Sequence, residues 1–266
     1  MYLQITTKCN MTCKHCGFSC NKNGKHMDLQ TFEKAIDYIK DYSDVITIGG
    51  GEPTLHPNFF HILKTCLENF DFVWFATNGS KTETMERIAS IIDDEDLQYL
   101  IGNNEESQRD DETEYEYYER VDGMFYNEAI NNPDGKLSVA LSQDYYHDPI
   151  DQKIVDLWTK RASQNRFGSN NNGFEIRNVT QSYTGIANTG RAKRNGIGQS
   201  DHCVCPGMII KPNGEIKACG CTKSPIIGDI FNGIYEDWQE KINSDEYRDT
   251  ECYMDIVETC KTITFF

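Results

Sequence analysis

Short apolar runs with strand character alternate with segments of helical periodicity over residues 1–180. The runs MYLQIT, DVITI, DFVWFAT, QYLIG, KLSVALS and GFEIRNV predict six strands. The stretch TFEKAIDYIK has apolar residues at helical spacing, and further helices are predicted over residues 58–69, 81–92, 114–130 and 151–163. This alternation predicts parallel βαβ units in an open or partial (βα)6 barrel of the α/β class, with the functional site at the carboxyl ends of the strands.

The pattern changes near residue 200. Cysteines, glycines and short strands follow, and Pro212-Asn213-Gly214 between two alternating runs predicts a β-hairpin. We therefore expect one α/β domain over residues 1–200 and a small cysteine-rich hairpin and helix extension over residues 201–266.

Composition narrows the function classes. The net charge of −16 opposes binding to phosphate backbones, so a nucleic-acid partner is unlikely on charge grounds, and GRAKRNG at residues 190–196 is the only basic run. The acidic, tyrosine-rich residues 105–120 are predicted to be a solvated surface. No targeting segment and no run of membrane-spanning length is visible, so we expect a cytoplasmic protein.

Cysteine is unevenly distributed. Of eleven cysteines, four lie within residues 9–20, six lie within residues 203–260, and only Cys66 lies between them. In a reducing compartment such clusters favour metal binding or catalysis over disulfides. Cys66 falls on the apolar side of a predicted helix and is expected to be a small core residue.

The first cluster contains Cys9, Cys13 and Cys16 in the spacing C-x3-C-x2-C, directly after the first predicted strand. Soft thiolates at this spacing suit an iron–sulfur cluster or zinc, and the spacing alone leaves both open.

The same three cysteines resemble the signature of the radical SAM superfamily. That resemblance implies that Cys9, Cys13 and Cys16 hold a [4Fe-4S] cluster whose remaining iron binds S-adenosylmethionine (SAM). It implies that Cys20 is not a ligand, because a fourth thiolate would close the site. The superfamily usually has an aromatic residue before the last cysteine; His15 stands there and is expected to pack on the adenine.

Other segments extend the resemblance. GGGEP at residues 49–53 is similar to the GGE motif of the superfamily, which implies that Glu52 pairs with the methionyl ammonium. ATNGS and LSQDYYHDP end two predicted strands, and the resemblance places Ser142 and Asp144 at the ribose. His147 is either a turn residue or part of the site, and Asn178 is a further candidate. The expected SAM-binding residues are His15, Gly49, Gly50, Gly51, Glu52, Asn78, Ser142, Asp144 and Arg177.

The second cluster resembles the start of an auxiliary-cluster domain of the SPASM or twitch type. Cys203, Gly214 and Cys219 fit the spacing C-x10-G-x4-C, although the longer SPASM continuation is absent. We expect one auxiliary [4Fe-4S] cluster. Its expected ligands are Cys203, Cys219, Cys252 and Cys260, with Cys205 and Cys221 as competing choices. A structural zinc site made by Cys203, Cys205, Cys219 and Cys221 is the alternative.

The resemblance implies an enzyme that reductively cleaves SAM to a 5′-deoxyadenosyl radical, which abstracts hydrogen from a substrate. A peptide or protein residue is the first expectation for that substrate, and a small metabolite or nucleoside the second. An external electron donor such as flavodoxin or ferredoxin is the expected partner. The alternatives from other classes are an iron–sulfur electron carrier and a zinc-stabilised binding protein.

Overall fold

The computed structural model describes residues 1–90, 137–163, 174–177, 179–181, 185–198, 207–220 and 224–244. The predicted strand at residues 98–102, the predicted helix at 114–130 and the acidic stretch at 105–120 lie outside the described residues.

Helices and strands alternate through the first half of the described chain. The order is β1 (Tyr2–Thr6), α1 (Leu29–Lys40), β2 (Val45–Gly50), a 3-10 turn (Pro53–Leu55), α2 (Phe59–Asn69), β3 (Phe72–Thr77), α3 (Thr82–Ser90), β4 (Leu137–Ser142), α4 (Gln152–Ser163) and β5 (Phe174–Arg177). Then come α5 (Gly190–Arg194), β6 (Ile209–Ile210), β7 (Glu215–Lys217), β8 (Ile226–Asp229), β9 (Gly233–Ile234) and α6 (Trp238–Asn243).

One sheet of nine strands contains every described strand, in the order β5-β4-β3-β2-β1-β6-β7-β8-β9. The pairs from β5 to β6 are parallel, and those from β6 to β9 are antiparallel. The parallel strands therefore present their carboxyl ends along one edge, where the first cysteine segment, the GGGEP segment and the segment after β4 all begin.

The core follows the predicted periodicity. In α1 the buried residues include Phe32, Ala35 and Ile39, and the Asp28 side chain caps the helix by accepting from the Thr31 N–H at 2.8 Å. β1 is buried along its whole length, as expected where both faces of a sheet are covered, whereas β5 at the edge of the sheet has two exposed charged residues. Cys66 is fully buried in α2, which confirms that it is a core residue.

The structure confirms the α/β class and the parallel sheet. It confirms the strands predicted at MYLQIT, DVITI, DFVWFAT, KLSVALS and GFEIRNV. In the described strands, β3 pairs directly with β4 from Val73↔Leu137 to Thr77↔Leu141, and the sixth parallel strand is Ile209–Ile210. The six parallel strands of the described residues thus include Ile209–Ile210, which we do not predict as part of the parallel sheet. The predicted strand at residues 98–102 lies outside the described residues, and the partial barrel stays a prediction.

The predicted hairpin at Pro212-Asn213-Gly214 is present. β6 and β7 pair antiparallel, the Gly214 N–H donates to the Lys211 carbonyl at 2.9 Å, and Gly214 has a positive φ of 83°. Because β6 also pairs with β1, the sheet continues across the boundary that we predict at residue 200.

Candidate active site

The segment that follows β1, called here the cysteine loop (residues 9–20), is closed at its base by main-chain hydrogen bonds. The Cys9 N–H donates to the Asn21 carbonyl at 2.9 Å, and the Thr7 N–H donates to the Lys25 carbonyl at 2.8 Å. These bonds return the chain beside the end of β1 and fix where the loop emerges.

The four thiol-bearing residues of the loop share one small core. Cys9 and Cys20 are 9% and 4% exposed and pack around Met11, with Cys13 and Cys16 half-buried against them. The Cys16 N–H donates to the Cys13 carbonyl at 3.3 Å, which folds the x2 turn of the motif. Several soft sulfur donors in one water-poor loop fit an iron–sulfur cluster.

Cys16 and Cys20 have opposite acidities. The Cys20 side chain hydrogen-bonds Cys16, and the main-chain N–H groups of Cys20 and Phe18 add to this, so the pKa of Cys16 is lowered although burial opposes the shift. The same hydrogen bond, together with burial, raises the pKa of Cys20. The Cys20 thiol also donates to the Phe18 carbonyl at 4.0 Å. The division into three ligands and one other cysteine stays a prediction.

The GGGEP segment packs directly on the cysteine loop. The Gly51 N–H donates to the Thr6 carbonyl and the Glu52 N–H donates to the Lys8 carbonyl, both at 3.0 Å. A Cβ atom at Gly51 would lie 2.3 Å from the Lys8 carbonyl oxygen and 2.8 Å from the Cβ of Cys9. Glycine is therefore required at position 51 by the cysteine loop itself.

The other two glycines of the segment face β1. The Gly50 N–H donates to the Tyr2 hydroxyl at 2.9 Å, and a Cβ atom at Gly49 would lie 1.9 Å from that hydroxyl. The contacts of these three glycines in the structure are with β1 and with the start of the cysteine loop. Contact of Gly49, Gly50 and Gly51 with SAM stays a prediction.

Glu52 joins the GGGEP segment to the end of β3. Its Oε1 accepts from the Thr54 N–H, the Thr54 hydroxyl and the Thr77 hydroxyl at 3.1, 2.6 and 2.8 Å. Its Oε2 accepts from the Asn78 N–H at 2.7 Å. Burial raises the pKa of Glu52, and these hydrogen bonds oppose that shift. The carboxylate, 1% exposed, thus holds two segments together, and its predicted pairing with the methionyl ammonium stays a prediction.

Asn78 connects the end of β3 to the cysteine loop. Its Nδ2 donates to Asn10 Oδ1 at 3.0 Å, and its Oδ1 accepts from the Ser80 N–H at 3.0 Å. Asn10 in turn donates to the Ser80 hydroxyl at 2.9 Å. Asn10 and Ser80 are absent from the residues that we predict, although both lie within the motif segments.

The segment after β4 places Asp144 and His147 beside His15 of the cysteine loop. His15 lies 4.7 Å from Tyr146 and 5.1 Å from His147, measured between ring centroids. His147 Nδ1 lies 2.8 Å from Asp144 Oδ1, and the Tyr146 N–H donates to the same carboxylate oxygen at 2.9 Å. His147 also hydrogen-bonds the Cys13 side chain. The structure therefore moves His147 from an open candidate into the immediate surroundings of a predicted ligand.

The donor atoms of His15, Asp144 and His147 lie within 4.8 Å of one another, a set that a divalent transition metal accepts. The Nδ1 atom of His15 is buried and has no hydrogen-bond partner among the described residues. A buried polar atom of this kind needs a partner, so it fits a bound ligand at this point. The packing of His15 on the adenine stays a prediction.

Ser142 and Arg177 lie opposite each other in the register of β4 and β5. Arg177 is exposed, and its guanidinium carbon lies 5.9 Å from the centroid of the Trp74 ring. Both residues are at the carboxyl edge of the sheet, as predicted, and their contact with SAM stays a prediction. Asn178 lies outside the described residues.

Helix α5 packs on the cysteine loop. The Arg191 N–H donates to the Cys16 carbonyl at 2.9 Å, and its guanidinium donates to the carbonyls of Cys13 and Cys20 at 2.9 and 2.5 Å. At Gly190, where φ is 56°, a Cβ atom would lie 1.9 Å from the Gly17 carbonyl oxygen. Arg191 is a site residue that sequence reasoning missed; residues 190–196 are noted in the sequence only as a basic run.

Of the cysteines predicted to hold an auxiliary cluster, only Cys219 lies within the described residues. It is 4% exposed beside the hairpin, and its N–H donates to the Ser224 hydroxyl at 2.9 Å. The others, Cys203, Cys205, Cys221, Cys252 and Cys260, lie outside the described residues. The auxiliary cluster and the zinc alternative therefore stay predictions.

Comparison with known protein families finds a match for the first part of the chain. Residues 3–104 match the model of the Radical SAM superfamily. This segment of the chain is similar to the radical SAM superfamily. It contains the cysteine loop, the GGGEP segment and Asn78, so the three elements that Glu52 and Asn10 hold together all lie within the matched residues.

Two curated relatives cover part of the same segment. One is the S-adenosylmethionine-dependent nucleotide dehydratase of Selenomonas ruminantium, 35% identical over 80 residues, which are 29% of this chain and 29% of that protein. The other is the mycofactocin maturase MftC of Mycobacterium tuberculosis, 30% identical over 91 residues, which are 33% of this chain and 23% of that protein. The chain spans well under half the length of the curated relatives that it matches.

Among solved structures, Streptococcus suis SuiB bound to precursor peptide SuiA aligns with 93% of this chain and 65% of its own, with 14% identity and a TM-score of 0.39. A score of this size supports no inference about substrate. Within the described residues, no helix is long and apolar enough to span a membrane.

Proposed function

We propose that the protein binds a [4Fe-4S] cluster through Cys9, Cys13 and Cys16 and reductively cleaves SAM. The observation that carries the proposal is the joint position of three segments at one edge of the sheet. The cysteine loop, GGGEP and the end of β3 are connected through Glu52 and the Asn10–Asn78 hydrogen bond. A cluster bound there supplies one electron to SAM, giving methionine and a 5′-deoxyadenosyl radical that takes hydrogen from a substrate.

The residues of this chain have separable tasks in that reaction. Cys9, Cys13 and Cys16 hold the cluster, and Cys20 donates a hydrogen bond to Cys16. His15, with its unpartnered Nδ1, is positioned to contact the adenine. Positioning of this kind matters because a reactive radical attacks any group within reach.

The test is anaerobic reconstitution with iron and sulfide, followed by reduction in the presence of SAM. We expect 5′-deoxyadenosine from the parent protein and none from Cys9→Ala, Cys13→Ala or Cys16→Ala. Cys66→Ala is the matched control, because this buried cysteine lies in α2 away from the loop. An iron-loaded parent protein that releases no 5′-deoxyadenosine would contradict the proposal.

The substrate that we propose is a peptide or protein residue, supported by the resemblance of the hairpin region to the auxiliary-cluster domains of peptide-modifying enzymes. The name of the dehydratase relative favours the second candidate, a nucleotide or another small metabolite. Incubation with SAM and with each candidate substrate in deuterated form distinguishes them, because only the true substrate transfers deuterium to the 5′ carbon of 5′-deoxyadenosine.

We also propose one auxiliary [4Fe-4S] cluster, held by Cys203, Cys219, Cys252 and Cys260. Cys219→Ala should lower iron and acid-labile sulfide by the content of one cluster and leave SAM cleavage in place. Zinc without acid-labile sulfide in the parent protein would instead support the four-cysteine zinc site. Unchanged iron in Cys219→Ala would contradict the assignment.

A further inference from the structure

The cysteine loop and the segment that covers it have a charge opposite to that of the whole chain. Residues 8–27 include four lysines and neither aspartate nor glutamate. Residues 185–198 include Arg191, Lys193 and Arg194, again without an acidic residue. In a protein of net charge −16, two segments with only positive charges are a local exception.

The fold places these two segments against each other. The Asn195 side chain donates to the Lys14 carbonyl at 3.0 Å, and the Arg194 guanidinium donates to the Ser19 hydroxyl at 3.0 Å. The two segments therefore form one surface, the basic face. Its exposed cations are Lys14, Lys22, Lys25, Lys193 and Arg194.

An open groove of about 440 Å³ lies in the basic face, lined by Phe18, Cys20 and Lys25 among others. The Phe18 ring is 37% exposed and stacks on Tyr2 at 5.5 Å between centroids. The groove thus combines an exposed aromatic ring with polar residues and one cation, Lys25, which is the composition of a protein–protein contact with an apolar centre and a polar rim.

The groove lies directly behind a predicted cluster ligand. Cys20 lines the groove and packs in the core of the cysteine loop with Cys9, with Cys16 against them. A redox centre docked in the groove would thus be separated from the predicted cluster ligands by the Cys20 side chain. Short separation of this kind is what electron delivery between two proteins requires.

We infer that the basic face is the docking surface for an acidic one-electron carrier protein, with a flavin or iron–sulfur centre seated over the groove. This inference rests on the proposed function, because the carrier supplies the electron that SAM cleavage consumes. In the step itself the carrier loses one electron and the cluster of this protein gains one, and no bond forms or breaks. Complementary charge mainly accelerates association, and salt weakens it.

The test uses the full chain and a purified acidic flavodoxin as the probe. The variant Lys22→Glu/Lys25→Glu/Arg194→Glu reverses three charges of the basic face. The matched control Lys34→Glu/Lys40→Glu/Lys64→Glu makes the same change in net charge on exposed residues of α1 and α2. At low ionic strength we expect the association rate constant to fall by about 10-fold or more in the first variant and by less than about 2-fold in the control.

A second variant, Phe18→Ala, keeps every charge. We expect it to bind the flavodoxin about 10-fold more weakly with an unchanged slope of affinity against salt, because it removes the apolar centre of the contact. The two variants thus separate the charged rim from the apolar centre.

Photoreduced deazaflavin, a small reductant that needs no docking surface, separates this inference from the proposed function. We expect the triple basic-face variant to form 5′-deoxyadenosine at the parent rate with deazaflavin and about 10-fold more slowly with reduced flavodoxin.

Equal flavodoxin binding by this variant and its control would overturn the inference. So would tighter binding of an acidic peptide than of flavodoxin at the same residues, which would make the face a substrate site. Absence of product with either reductant in the parent protein would refute the proposed function, while the binding data still decide the docking surface.

Discussion

The Arg191 guanidinium donates to the Cys13 carbonyl at 2.9 Å, although the two residues are 178 positions apart. The same side chain donates to the Cys20 carbonyl, and the Arg191 N–H donates to the Cys16 carbonyl. One residue therefore fixes three points of the cysteine loop. A planar guanidinium provides several donors in a fixed geometry, which a lysine does not.

Arg191→Ala should reduce iron and acid-labile sulfide per chain after reconstitution, because two loop carbonyls lose their donors. The cost should be about 1–3 kcal/mol in the free energy of unfolding of the cluster-free protein. Arg191→Lys should recover only part of the iron and sulfide content and only part of the lost stability. Arg194→Ala, which removes a single contact to Ser19, is the control, and equal iron contents in the Arg191 and Arg194 variants would contradict the role of Arg191.

Glu52→Gln should destabilise the fold by about 1–3 kcal/mol, because a buried amide replaces an acceptor of four hydrogen bonds and one N–H of Gln must face a donor. Urea denaturation of the cluster-free protein measures this change. Glu33→Gln, on the exposed side of α1, is the control. A Glu52→Gln protein as stable as the parent would mean that Glu52 does not hold the two segments together.

Cys20→Ser should retain the full cluster content, because the serine hydroxyl can still donate to the Cys16 sulfur. Cys16→Ser should lose the cluster. Iron and sulfide analysis with the absorbance of the reconstituted proteins measures both. Loss of the cluster in Cys20→Ser would make Cys20 a ligand and the site a closed one.

His147 should give stability a distinct dependence on pH. Burial disfavours its charged form, but hydrogen bonds to Asp144 and Cys13 outweigh burial and raise the pKa of His147 to about 10. A histidine with a raised folded pKa contributes its full stabilisation below its unfolded pKa of about 6.5, and this is lost as the pH rises through the folded value. His147→Asn should therefore lower the free energy of unfolding most near pH 6 and progressively less toward pH 10.

Urea titrations of the cluster-free protein across this range test the His147 prediction. His61→Asn changes an exposed histidine of α2 and serves as the control. A His147→Asn effect that is constant with pH would show that the imidazole is not charged in the folded protein.

Local signals predicted the parts of the site that lie close in sequence to a strand end. The cysteine spacing, GGGEP and Asn78 each follow a strand directly, and parallel strands bring such positions to one edge. Arg191 could not be found in this way, because its contacts are with main-chain carbonyls, which leave no trace in residue type. Glu52 was predicted as a site residue, but its hydrogen-bond partners were not. Those partners depend on how the GGGEP segment packs against the end of β3.

The order of the strands was harder to predict than their existence. Apolar runs identify strands, but pairing depends on which edges remain available once the helices have packed. The pairing of β6 with β1 thus has no signature in the run GMIIKP, which is short and equally compatible with a separate hairpin domain.

The position of β1 has a consequence for biogenesis. Tyr2 pairs with Thr47 on one side and with Ile209 on the other, so β1 leaves the ribosome long before its second neighbour is synthesised. Arg191 also emerges late, shortly before that neighbour. The cysteine loop is therefore synthesised long before Arg191, whose hydrogen bonds fix it. Until β6 is synthesised, β1 has one unpaired edge. We expect iron to be inserted only after Arg191 and β6 have been synthesised, so that these later segments determine when the cysteine loop becomes functional.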